Sequence, residues 1–253
     1  MFWWGGMGAT NKKLRWWMFA ILTFVIFVLL QVPATWLIAK FYKSNQSLNN
    51  VSGNIWQGQA DWQQRGLQGT VAWKVRPWEL LLLRAAADIE IHSGQTQLNG
   101  VMAYGLGKTL YIRQLSGEIA PDTLARFTSG QWPAQSIQLK DIDLKYKKAD
   151  GFSATDGQLY WLGGEMRYRF GERQDLINIP NLQAKLSNDQ QKLMIDVRDN
   201  RENKMLNIVL DPSLMMDIQV TQRMLLNSPS YQGQAALDSY VFSTRQPLLE
   251  GGF

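Results

Sequence analysis

"SIQLKDIDLKY", residues 136–146, decides the fold. Ile137 and Leu139 share one parity, while Ile142, Leu144 and Tyr146 share the other. A helix returns apolar residues every three or four positions. A strand returns them every second position, because successive side chains point to opposite faces. The stretch is therefore a strand with a one-residue slip, and a slip without a break predicts a β-bulge near Lys140–Asp141 that adds bend and twist.

The same period recurs on either side. Ile89 and Ile91 alternate in "ADIEIH", Met166, Tyr168 and Phe170 in "GEMRYRF", Leu193, Ile195 and Val197 in "KLMIDVR", and Leu206, Ile208 and Leu210 in "MLNIVL". Glycine recurs just ahead of apolar runs, as in "SGNIW", "QGTVAW" and "NGVMAY", where a turn residue tolerates positive φ. About ten to fourteen short strands, largely antiparallel and paired with their sequence neighbours, are expected. Helical signals are few. "RPWELLLLRAAA" has Pro77 in a first turn, and "APDTLARF" offers Asp122 as an N-cap. "DPSLMMDIQVTQRMLL" leaves helix and strand both open, because Val and Ile suit strands.

Ahead of this domain, "RWWMFAILTFVIFVLLQVPATWLIAKFYK" carries no charge from Trp16 to Ala39. That run exceeds the ~20 residues a helix needs to cross a ~30 Å hydrocarbon core. Trp16, Trp17, Trp36 and Tyr42 flank it, as interface anchors do. It is too long for a signal-peptide core and lacks a small-residue cleavage site, so an uncleaved anchor is expected. Lys12, Lys13 and Arg15 before the span outnumber Lys40 and Lys43 after it, which favours a cytoplasmic amino terminus. The expected fold class is all-β: one amino-terminal transmembrane helix, then a curved, largely antiparallel sheet with a few short helices. The expected organisation is a cytoplasmic tail over 1–15, the anchor over 16–39, a spacer over 40–50 and a periplasmic β-rich domain over 51–253.

Composition removes several chemistries. The 253 residues include no Cys and one His, so thiolate catalysis and Cys-ligated zinc are excluded. The net charge of +5 is scattered, which fits a solvated surface or anionic headgroups and not a nucleic-acid stripe. "YGLGKTL" resembles a phosphate loop, but Met102 stands where the first Gly should be and a strand follows. Gly105 and Gly107 read as a hairpin turn with Lys108 in solvent. His92 reads as a strand-end histidine, and no G-x-S-x-G elbow accompanies it. Asp141 and Asp143 lie among Lys140, Lys145, Lys147 and Lys148, so an ion-paired wet face is expected there. No catalytic residue, metal site or cofactor is expected.

Trp56, Trp62, Trp73 and Trp78 crowd one short region, with Gly53, Gly58, Gly66 and Gly69 set before and among them. One reading packs each ring over a glycine. The other makes an aromatic edge for the membrane, a lipid tail or a partner.

Three stretches, "VSGNIWQGQA" (51–60), "VAWKVRPWELL" (71–81) and "YQGQAALDSYVFSTRQPLL" (231–249), resemble protein N of the type II secretion system. The resemblance implies a non-enzymatic accessory of the inner-membrane platform that exports folded proteins. Its implied partners are the other single-pass platform proteins and the secretin. Members of that family also look related to AsmA-like proteins, whose curved sheets hold lipid. The alternative function is thus a membrane-anchored lipid-binding or lipid-transfer protein.

Overall fold

The computed structural model describes residues 9–36, 48–64, 66–127, 135–170 and 173–248. A helix, α1 (Ala9–Leu30), precedes β1 (Leu48–Gly53), β2 (Gln57–Gln64) and β3 (Leu67–Val75). A single helical turn, α2 (Pro77–Leu80), leads to β4 (Arg84–Ser93), β5 (Thr96–Gly105) and β6 (Thr109–Ile119). After α3 (Pro121–Phe127) come β7 (Ile137–Lys147), β8 (Gly151–Trp161), β9 (Gly164–Phe170) and β10 (Arg173–Ile179). The chain continues through β11 (Leu182–Asp189), β12 (Lys192–Asp199), β13 (Lys204–Leu210), β14 (Met215–Thr221), α4 (Gln222–Leu225) and β15 (Tyr240–Pro247). Thirteen strands form one antiparallel sheet in chain order, broken only where β8 pairs with β11 and the β9–β10 hairpin stands aside.

Register shows what the period of two builds. Directly opposed residues share a face. One row crosses the sheet as Ala60, Val71, Ile91, Leu98, Gly117, Leu139, Leu159, Ala184, Val197, Leu206, Val220 and Phe242. A neighbouring row, one residue along each strand, reads Asp61, Thr70, His92, Gln97, Glu118, Gln138, Tyr160, Gln183 and Arg198. The sheet therefore has one apolar and one polar face.

The expected bulge is present. Register shifts between Lys140 and Asp143, and Asp141 takes φ 47°. It belongs to a crease across three strands, with Gln114 of β6 (φ 52°) and Ala154 of β8 (φ 48°) also left-handed. Side chains take up backbone donors along it. Gln114 N–H donates to Asp143 Oδ1 (3.0 Å), Asp141 N–H to Ser116 Oγ (3.0 Å) and Thr155 N–H to Asn188 Oδ1 (3.1 Å).

Beyond the crease the sheet rolls. Tyr146 Oη of β7 donates to the Pro212 carbonyl just past β13, at 2.9 Å. Four strand spacings separate β7 from β13, about 19 Å in a flat sheet at ~4.8 Å each, so the apolar face must close on itself. Ile142, Phe152, Leu186, Leu193 and Leu210 are buried inside the roll, and Tyr146 packs on Phe152 with ring centroids 4.8 Å apart. Ile179, Leu182, Ala184, Val197 and Met205 form a second cluster beside it.

Some details depart from the sequence reading. "DPSLMMDIQVTQRMLL" becomes β14 followed by the short α4, because Met216, Ile218 and Val220 extend the apolar face. Pro121 opens α3, which moves Asp122 from the cap into the first turn. α1 ends at Leu30, well before Ala39. Val32 instead accepts a hydrogen bond from Ile55 N–H (3.1 Å), and Pro33 bridges Asn54. The apolar part of α1, Trp16–Leu30, is about 22 Å long at ~1.5 Å per residue. Among the described residues no helix is long and apolar enough to cross a membrane. β1 begins at Leu48, inside the expected spacer, and 37–47, with Tyr42, lies outside the described residues.

Candidate functional site

The tryptophan and glycine cluster resolves by register. Gly58 stands opposite Trp73 and Gly69 opposite Trp62. A Cβ on Gly58 would strike the Trp73 ring and the Ser52 carbonyl, and one on Gly69 would strike the His92 carbonyl. Trp73 also donates from Nε1 to the Asn54 carbonyl at 3.3 Å. Asn54 Oδ1 accepts from the backbone of Trp56 and Gln57 at 2.9 and 2.8 Å, which closes the β1–β2 turn. Trp56, Trp62 and Trp73 are part-buried pieces of this edge of the sheet.

Trp78 differs. It lies on α2 and is 80% exposed. α2 is held by Glu79, whose Oε1 accepts from Arg113 Nη2 of β6 at 2.6 Å. This hydrogen bond, opposed by burial, holds the Glu79 carboxyl below the usual carboxylate range. With the charged residue turned inward, Trp78 and Leu80–Leu83 are turned outward, and Leu81 is 77% exposed. That inverts the usual amphipathic turn. Leu106, also 77% exposed, joins them from the β5–β6 turn, where its N–H donates to the Leu83 carbonyl at 3.4 Å. The sequence signal was four consecutive leucines with one charged residue in the turn before them, a pattern with no polar face.

Val75 N–H donates to the Trp56 carbonyl (2.6 Å), so the β1–β2 turn and the α2 loop lie at the same end of the sheet. α1 joins the sheet at that turn. Every described side chain from Leu14 to Val28 is exposed, including Trp16 and Trp17, and Trp36 is exposed in the helical turn at 34–36. The structure thus gathers the end of α1, Trp36, Trp78 and Leu106 at one end.

The other candidates have structural roles or stand apart. His92 is exposed on the polar face, and among the described residues no three His, Cys, Asp or Glu converge as a metal would need. Asp143 serves the bulge. Lys108 is exposed in the β5–β6 turn, as expected. Open grooves of about 840 and 780 Å³ lie along the sheet. The first contains the Arg76–Asp88 ion pair (2.6 Å), and the second is lined largely by Gln97, Asn99, Gln138, Lys140 and Tyr160. In the carboxy-terminal stretch, Tyr231 Oη donates to Oε1 of the buried Gln222 at 2.6 Å and so fixes α4.

A long antiparallel meander with one apolar face, preceded by an exposed apolar helix, marks a protein of the β-rich class. The sequence matches the family model of the type II secretion system (T2SS), protein N, over residues 44–237. The chain belongs to this family, which ties it to protein transport by type II secretion and to the other components of that system. No curated protein and no solved structure matches it.

Proposed function

We propose that the chain is a non-catalytic accessory subunit of the inner-membrane platform of type II secretion, with a cytoplasmic amino terminus and a periplasmic sheet. The family match carries this reading. The exposure of the described apolar side chains from Leu14 to Val28 supports it, since such a helix is unsuited to water. In this reading the anchor is carried by α1, of which Trp16–Leu30 falls within the expected span 16–39. The 22 residues of α1 extend about 33 Å, and the exposed Arg15 lies at the start of its apolar part. Protease treatment of intact spheroplasts tests the topology: a digested carboxy-terminal tag with a protected amino-terminal tag is expected, and the converse rejects it. Photocrosslinking from the sheet in intact cells should capture platform proteins or the secretin. Unchanged secretion after deletion of the gene would remove the accessory role.

A second reading is a membrane-anchored lipid carrier with AsmA-like kinship. The apolar face favours it, because Met102, Tyr104 and Phe242 remain exposed there. Native mass spectrometry retaining lipid at fixed stoichiometry supports this reading, and a consistently lipid-free sheet rejects it.

A further inference from the structure

We infer that the end of the sheet carrying Trp78, Leu81, Leu82 and Leu106 docks onto the surface of an anionic bilayer, so that the domain lies against the membrane. The inference rests on the reading of α1 as the anchor. Three observations lead to it. The link is short: Val32, two residues past α1, is already hydrogen-bonded to Ile55 in the β1–β2 turn. That turn sits beside the end of β3, from which the α2 loop departs. Whatever holds α1 therefore holds this end of the sheet nearby.

The side chains at that end suit an interface of lipid and water. Trp78, Leu81 and Leu106 are the most exposed large apolar groups described outside α1, at 77–80%. They project from two separate connections, which suits shallow insertion better than a protein groove. Tryptophan favours the headgroup level and leucine the acyl boundary. The Glu79–Arg113 pair keeps the charge of α2 on the sheet side. Exposed Lys108, in the same turn as Leu106, and Lys148, in the β7–β8 turn at this end, supply cations for anionic headgroups.

The chain has no Cys, so each introduced one is unique. Leu81→Cys, Leu106→Cys, Gln95→Cys and Phe24→Cys, each labelled with an environment-sensitive fluorophore, are placed as full-length chains into vesicles of phosphatidylethanolamine and phosphatidylglycerol. Gln95 lies in the β4–β5 turn at the opposite end and serves as the control. Quenching by lipids brominated near the headgroup should be several-fold stronger at 81 and 106 than at 95. It should weaken when phosphatidylcholine replaces phosphatidylglycerol, and in a Leu82→Glu background. Quenching at 81 and 106 no stronger than at 95, with 24 quenched by deeply brominated lipid, overturns the docking and leaves the anchor standing. Quenching at 81 with none at 24 supports surface docking and removes the anchor. Label 81 shielded from aqueous iodide only when other secretion proteins are added, without lipid quenching, assigns this end to a protein and overturns the inference.

Discussion

The two halves of the sheet use the same alternation and bury different amounts with it. From β7 to β14 the apolar face rolls over Phe152, Leu186, Leu193, Met205 and Leu210. From β1 to β5 that face buries the small Ala60, while Trp62, Trp73, Ile89 and Ile91 stay half-buried on it, and Ala86, Val101 and Ala103 are buried on the opposite face. The crease at Gln114, Asp141 and Ala154 stands at the border. Period alone sets which face is apolar. Whether that face is covered depends on bulges and on contacts between strands that are not neighbours.

The largest effect is expected where the halves meet. Gly117 of β6 has φ +138°, and a Cβ there collides with the Gln97 carbonyl, so Gly117→Val should abolish cooperative unfolding in a circular-dichroism melt. Gly58→Val should disrupt the open half, read as lost near-ultraviolet tryptophan signal. Within the roll, Phe152→Ala should cost about 3–5 kcal/mol by urea denaturation. Ile89→Ala in the open half should cost only about 1 kcal/mol, since half of its transfer free energy is realised. Equal costs would dissolve the distinction between the halves. Asp143→Ala should cost about 1 kcal/mol by removing the acceptor for Gln114 N–H.

Acid should act in one direction. Glu79 is held low mainly by its hydrogen bond from Arg113. Burial raises the carboxyls of Asp199 and Asp211, but hydrogen bonds from Asn203 and Arg201, and from Ser213 and Met215, outweigh it and leave both low. A depressed carboxyl contributes stability above its unfolded pKa and loses it as pH falls through the folded value. Urea midpoints should therefore drop on acidification below the usual carboxylate range, and Glu79→Gln should flatten part of that slope. The smallest effect is Ala154→Gly, which relieves a left-handed φ at the crease and should stabilise by up to about 1 kcal/mol.

The strands, their faces and the bulge at Lys140–Asp141 could be read from residues one or two positions apart, whereas the glycine beneath each of Trp62 and Trp73 was one of two open readings until the β2–β3 register paired them. The roll could not, because the Tyr146–Pro212 contact joins residues distant in sequence. The end of α1 was hidden for the same reason: Gln31 and Pro33 looked tolerable within a lipid span, and only pairing with Asn54 and Ile55 draws the chain into the sheet. In the tip, "RPWELLLLRAAA" was legible as a short helix. Its inverted facing was not, since Arg113, which turns Glu79 inward, lies on the third strand after it.

The near-perfect chain order of the sheet carries a kinetic consequence. Each hairpin from β1 to β8 needs only the strand made just before it, so closure of each loop costs little and the sheet can grow hairpin by hairpin during synthesis. One junction must wait. β8 remains an open edge until the β9–β10 hairpin has been made and β11 arrives to zip along it.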